Sequence, residues 1–159
     1  MRNLSLSCLL LTGIVLQSCK NENPKVALQS DTEKPVSVQC YKAIYEKDTI
    51  DLKLNTLKNG KITGDMVMKV ASTPEKTGEI KGEFHGDTLF ADYTFITGAN
   101  KNTTFKNPMA FLKREKQLIL GNGTMQTTMG VTYLVKDKPI DFDNVKYKFT
   151  TIDCVDKSK

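Results

Sequence analysis

The feature that most constrains this chain is a hydrophobic repeat of period two that begins near Val36 and recurs, segment after segment, as far as Phe149. Ile50, Leu52 and Leu54 alternate with Asp51, Lys53 and Asn55, so an extended strand here has one apolar and one wet face. Ile62, Gly64, Met66, Met68 and Val70 repeat the pattern. Asn59-Gly60 between these segments is a hairpin signal, because both central residues of a type I′ turn need positive φ. Residues 76–85 carry Ile80, Gly82 and Phe84 on one face, and Gly86-Asp87 turns them into a segment at residues 89–95. After a loop at residues 98–102, a strand at residues 104–112 is interrupted by Pro108, which calls for an edge position or a bulge. Residues 117–128 read as another strand with a kink at Gly121-Asn122-Gly123, and residues 131–135 as a short strand or loop. A polar connection at residues 136–144 leads to a last strand in which Val145, Tyr147 and Phe149 alternate with Lys146, Lys148 and Thr150.

Counting residues 36–45 as the first, there are about eight strands and no segment of helical period. The expectation is an all-β fold, an antiparallel meander closing into a small barrel or curled sandwich. Gly64 and Gly82 stand at matching inward positions of neighbouring strands, where in a tightly curved sheet a side chain would collide with the facing wall. Met66, Met68, Phe84, Tyr93 and Phe95 are the expected core. The chain has no Trp of the kind that lines many ligand-holding barrels.

The N-terminal segment is of a different kind. Arg2 is followed by an apolar run at residues 4–16 that is too short for a membrane-spanning helix, which needs about 20 residues. It ends in Leu16-Gln17-Ser18-Cys19, which resembles the bacterial lipobox. That resemblance implies a signal peptide at residues 1–18, removed by cleavage before Cys19, and acyl chains such as palmitate on Cys19. More than one chain on a single residue gives stable membrane anchoring. Residues 19–35, polar and holding Pro24 and Pro35, then form the lipidated cysteine and a flexible tether, and residues 36–159 a single β-domain. Lys20 is not the Asp that would signal inner-membrane retention, and Lys20-Asn21-Glu22 bears a weak similarity to a surface-export signal. The expected address is the cell envelope, lipid-anchored at the outer membrane, on either face.

A net charge of +5 comes from Lys and Asp/Glu interleaved along the chain, which makes a solvated mixed surface and not a nucleic-acid interface. With Cys8 removed and Cys19 acylated, Cys40 in the first strand and Cys154 in the last remain. In an oxidising envelope they are expected to pair. The alternatives are two free thiols or a metal pair, and the latter needs further ligands in a chain whose only histidine is His85. His85 is expected to be satisfied or solvent-facing, and one histidine assembles no Ser-His-Asp set. Asp141-Phe142-Asp143-Asn144 is part of a calcium-loop pattern without its glycine and closing Glu, so Asx-turn chemistry is the expected use. Nothing in the sequence reads as catalytic, cofactor-binding or metal-binding, and no enzymatic activity is expected.

Asp48-Thr49-Ile50 and Asp87-Thr88-Leu89 resemble the Asp-Thr-aliphatic O-glycosylation pattern of Bacteroidota envelope proteins, with Thr49 and Thr88 as the acceptors, both in expected turns. Turn chemistry is the competing use. Cys40-Tyr41, Asn59-Gly60-Lys61-Ile62-Thr63-Gly64-Asp65, Thr77-Gly78, the run from Gly86-Asp87-Thr88-Leu89-Phe90 to Ala91-Asp92-Tyr93-Thr94-Phe95, Ala110-Phe111-Leu112-Lys113 and Ile152-Asp153-Cys154 resemble small Bacteroidota lipoproteins of uncharacterised function. The resemblance implies an envelope lipoprotein and carries no catalytic residue. The expected role is a non-enzymatic binding or structural module that meets a protein or small-molecule partner through one barrel end. The alternative is an inhibitor of a wall-degrading enzyme, similar to the lysozyme-inhibitor lipoproteins, of whose Ser-Gly loop Thr97-Gly98 is a partial echo.

Overall fold

The computed structural model describes residues 34–155, so Cys19, its signal segment and nearly all of the tether lie outside the described residues. Ten strands follow in order: β1 (Ser37–Tyr45), β2 (Asp48–Thr56), β3 (Lys61–Lys69), β4 (Lys76–His85), β5 (Thr88–Thr97), β6 (Asn100–Arg114), β7 (Gln117–Leu120), β8 (Met125–Thr128), β9 (Val131–Leu134) and β10 (Lys148–Ile152). Eight of them close into an antiparallel barrel in the order β1-β10-β7-β6-β5-β4-β3-β2, while β8 and β9 pair only with each other. The expected meander is therefore a closed barrel. Each neighbour is also a sequence neighbour except at β7–β10, where the β8–β9 hairpin is inserted, and at β1–β10, where the ends of the sheet meet.

That meeting aligns Cys40 with Ile152, Tyr41 with Thr151 and Lys42 with Thr150. Two residues past β10, Cys154 is bonded to Cys40 across a Cα separation of 5.2 Å. Ser37 and Ile152 share one end of the barrel, here the terminal end, with the β2–β3, β4–β5 and β6–β7 turns. The β1–β2, β3–β4 and β5–β6 turns and the inserted hairpin occupy the opposite end.

Alternation puts Tyr41, Ala43, Ile50, Leu52, Leu54, Ile62, Met66, Ile80, Leu89, Ala91, Tyr93, Phe95, Phe111, Leu118 and Phe149 into one buried cluster, with Met68, Met109, Leu120 and Tyr147 packed against it. Eight strands give an interior just wide enough for side chains to fill. Tyr93 brings the one hydroxyl to its centre, and that O–H donates to the Met66 carbonyl oxygen at 3.0 Å. Phe84, expected in the core, is 37% exposed. The reason is register: the β3–β4 ladder stops at Lys61↔Glu83, so Phe84 projects past its last neighbour on that side.

Three further details depart from the alternation-based expectation, and Pro108 decides between its two options. Asn59-Gly60 does join a hairpin, but only Gly60 has positive φ, at 79°. Gly60 N–H donates to the Leu57 carbonyl and Leu57 N–H to that of Lys61, so the loop is four residues long with a left-handed glycine last. A Cβ on Gly64 would meet the Lys53 carbonyl, and one on Gly82 the Phe90 carbonyl. The collision is with the adjacent strand's backbone, not with a facing wall. Pro108 takes the edge option. β6 pairs with β5 at Asp92↔Pro108, whereas its ladder to β7 covers only 111–114, and the bulge lies at Phe95/Thr97 instead. Residues 117–128, expected as one kinked strand, are two strands, β7 in the barrel and β8 outside it.

Replacing Cys40 and Cys154 together by Ser reopens a loop of 114 residues. The chain-entropy account gives a loss of about 4 to 5 kcal/mol, which urea unfolding of the double variant against the oxidised parent measures. Gly64→Ala is expected to cost about 1 to 3 kcal/mol or more in the same assay, because backbone and not a movable side chain must give way.

Candidate functional site

Among the described residues, four places gather polar or exposed apolar groups in a way that could carry function. At the opposite end, inward register brings the β1–β2 turn, the β3–β4 loop and the approach to β10 together around Asp48. Its carboxylate accepts from Ala71 N–H at 2.8 Å and from Tyr147 O–H at 2.7 Å. Tyr45 meets Tyr147 edge-on at 6.2 Å, and Lys146 Nζ lies 5.7 Å from the centre of the Tyr45 ring. The Ala71 amide first, and then the Tyr147 hydroxyl, hold the Asp48 carboxyl below the usual carboxylate range. Burial first, then the hydrogen bond to Asp48 and its charge, push the Tyr147 phenol up to about 12. A phenol so placed stays protonated near neutral pH and cannot serve as a base. The cluster is a clamp that closes one barrel end. Sequence reasoning missed it because its members lie 99 residues apart.

The Asp141 loop is an Asx turn, as its residues lead one to expect. Asp141 Oδ1 accepts from the amides of Asp143 at 2.8 Å and Asn144 at 3.0 Å, and Oδ2 from Asn144 Nδ2 at 3.1 Å. Those donors, the Asn144 amide foremost, lower the Asp141 pKa. Asn122 Nδ2 donates to the Asn144 carbonyl and Arg114 meets Asp143 at 3.0 Å, which fastens the loop to β6 and to the residues after β7. Among the described residues no three metal-ligating side chains converge.

At the terminal end, an open groove of about 830 Å³ is lined by Gln39, Tyr41, Lys113, Lys116, Thr150 and Thr151, among others. Its polarity is mixed, and Tyr41 O–H turns to Gln39 Oε1 at 3.0 Å. No buried side-chain N or O among the described residues lacks a partner, and the barrel centre is occupied by the apolar cluster, whereas a ligand cavity needs space and convergent polar groups.

The fourth place is the β8–β9 hairpin. Residues 117–135 contain no charged side chain and no histidine, although a quarter of the chain is charged. Met125, Met129, Val131 and Tyr133 are exposed on it, Met129 fully so. The charge-free run is the sequence signal that could have found this surface.

The other residues that the sequence singles out are scattered. Thr49 and Thr88 are not in turns: each is near the start of a strand and half-buried, paired with neighbours on both sides. Two-residue hairpin loops put Thr49, after Asp48, at the second position of β2 and Thr88 at the first position of β5, with Asp87 in the turn. The two threonines lie at opposite barrel ends. His85 is solvent-facing, 3.0 Å from Glu83 and edge-on to Phe90. No known protein family, curated protein or solved structure matches this chain.

The clamp predicts a pH dependence. Tyr147 has a folded pKa raised above the unfolded value of 10.0, so its contribution is complete below pH 10 and is lost as pH climbs towards about 12. Thermal melts between pH 9 and 12 should show a steeper decline for the parent than for Tyr147→Phe, whose midpoint starts lower. Asp48 acts in the other direction. Its pKa is lowered, so its contribution is present above the ordinary carboxylate range and fades as the pH drops below it.

Proposed function

We propose that the mature chain is a lipid-anchored protein of the bacterial cell envelope whose barrel is a non-enzymatic binding or structural module that works through its outer surface. The observation that carries this reading is the filled interior. Fifteen buried residues pack together inside the barrel, so recognition falls to the ends and the hairpin. The polar groups at the ends support a non-catalytic role. Asp48, Tyr147 and Asp141 are engaged in hydrogen bonds of the fold, and the single histidine is paired on the surface with Glu83.

The lipobox at Leu16-Gln17-Ser18-Cys19 supplies the address, and the Cys40–Cys154 bond suits an oxidising compartment. In the alternative reading the chain blocks a wall-degrading enzyme. Its support is Thr97-Gly98, at the β5–β6 turn, where Gly98 N–H donates to the Glu75 carbonyl at 2.7 Å and holds the turn in place.

Expression in a bacterial host with labelled palmitate tests the anchor. The parent should take up label and fractionate with membranes, and Cys19→Ala should do neither. Equal labelling of the two would refute the lipid-anchor reading. Addition of the purified barrel to lysozyme, with hydrolysis of cell walls as the readout, separates the two roles: unchanged hydrolysis favours the binding module, and saturable inhibition favours the alternative.

A further inference from the structure

We infer that the β8–β9 hairpin is a second membrane contact, a finger whose tip enters the interfacial layer of the bilayer that holds the chain. The inference rests on the lipid-anchor reading for the location of that bilayer. Met129 and Gly130 form the two-residue tip, both with positive φ (52° and 79°), enclosed by the Thr128↔Val131 pair. A left-handed conformation is strained for a methionine, and Asn or Gly is the usual occupant. Here the strained position presents the most exposed large apolar side chain of the described residues, at 99%, with Val131 at 63% in the pair next to it. In water this arrangement gains nothing, whereas burial in acyl chains recovers the transfer free energy of each side chain.

The polar atoms of the ribbon are arranged to follow the tip. Thr127 and Thr132 hydroxyls meet across the strands at 2.9 Å, and Thr128 meets the Tyr133 hydroxyl at 3.3 Å, so these groups carry partners with them into a medium that offers few. Tyr133, amphipathic, sits one pair further from the tip, at the depth where such rings favour the membrane–water boundary. Lys136 and Lys138 follow at the base, on either side of Asp137, and leave a net positive charge there for lipid phosphates. The other hairpin turns differ. Glu46-Lys47, Lys58, Glu75, Asp87 and Glu115-Lys116 keep theirs in water, and the uncharged Gly98-Ala99 turn has no large apolar side chain.

The length of chain before the barrel makes the contact attainable. Ser37 lies at the terminal end and the hairpin springs from the opposite one. Residues 20–36 have a contour of roughly 55 to 60 Å at about 3.3 to 3.6 Å per residue. A barrel strand of nine or ten residues is only about 30 to 34 Å long. The acylated Cys19 and the Met129 tip can thus share one bilayer. Because the anchor already supplies the affinity, a weak second contact suffices to fix orientation.

The chain has no tryptophan, so Met129→Trp introduces a single fluorescent reporter at the tip, and Lys58→Trp one at the terminal end as control. The lipidated variants are reconstituted on phospholipid vesicles with and without brominated acyl chains. The Met129→Trp emission should shift to the blue and be quenched several-fold more strongly by bromolipid than that of Lys58→Trp. Vesicle-bound protein in which the two reporters behave alike would overturn the finger and leave the anchor standing. Protein that fails to sediment with vesicles would overturn the anchor, and the tethered finger with it. A Met129→Trp reporter indifferent to bromolipid but shielded on addition of envelope proteins would assign the tip to a protein groove and overturn the bilayer as its occupant.

Discussion

Closure between β1 and β10 is the constraint on which the rest of the molecule depends. The other ladders of the barrel join sequence neighbours through short turns, or join β7 to β10 across one insertion; the β1–β10 ladder joins the two ends of the domain. It has three register pairs, and its entropic cost is the largest because the loop it closes is the longest. The Cys40–Cys154 bond acts on that term, since it limits the freedom of the unfolded chain where the contact is least local. Without closure Tyr41 and Ala43 leave the core, and β1 and β10 each expose an edge.

A closed eight-stranded barrel has little interior to allot, and this one allots it to side chains. Ile50, Met66, Ile80, Tyr93, Phe111 and Phe149 are all fully buried, and Phe111 and Phe149 meet edge to face at 5.8 Å. Glycine at 64, 78 and 82 lets β2, β3, β4 and β5 approach until backbone faces the missing side chain, which sets the curvature at which those residues touch. Packing therefore leaves polar groups to the rim. The polar groups nearest the core, Asp48 with Tyr147 at one end and Asp141 beyond it, are held by partners from distant parts of the chain and stabilise the rim.

Much of this was legible in the sequence, for a physical reason. Period-two alternation is a local property, and a sheet with one buried face must display it, so the strands, their inward faces, the glycines and the pairing of Cys40 with Cys154 could be read from residue order. What could not be read depends on neighbours. Whether Asn59-Gly60 forms a two-residue or a longer loop is decided by the register of Thr56 with Ile62. Whether residues 117–128 stay in the barrel is decided by Ile140 and Phe142, which pack over Gly121, and by Leu134 against Gly123. The Asp48–Tyr147 bond joins a residue of the second strand to one just before the last, and no spacing rule connects them. The hairpin left a compositional trace, the loss of charge between residues 117 and 135, but alternation alone gives that run the same meaning as any other strand.

The insertion between β7 and β10 accounts for two features at once. Because β7 has only four residues, the upper part of β6 is left with a partner on one side only, an open edge of the kind that invites pairing with another chain. Pro108 removes a donor from that stretch, Lys101 and Lys106 place charge along it, and β9 lies beside it. These are the means by which natural sheets discourage edge association. The hairpin that covers this edge carries none of them: it has no proline, no lysine and no acidic residue, and its two strands are regular. A chain that protects one edge with charge and proline, and leaves charge out of the neighbouring ribbon altogether, distinguishes a surface that must stay in water from one that need not. The same excursion of chain therefore guards the barrel on one side and, on the other, extends the apolar tip on which the proposed membrane contact rests.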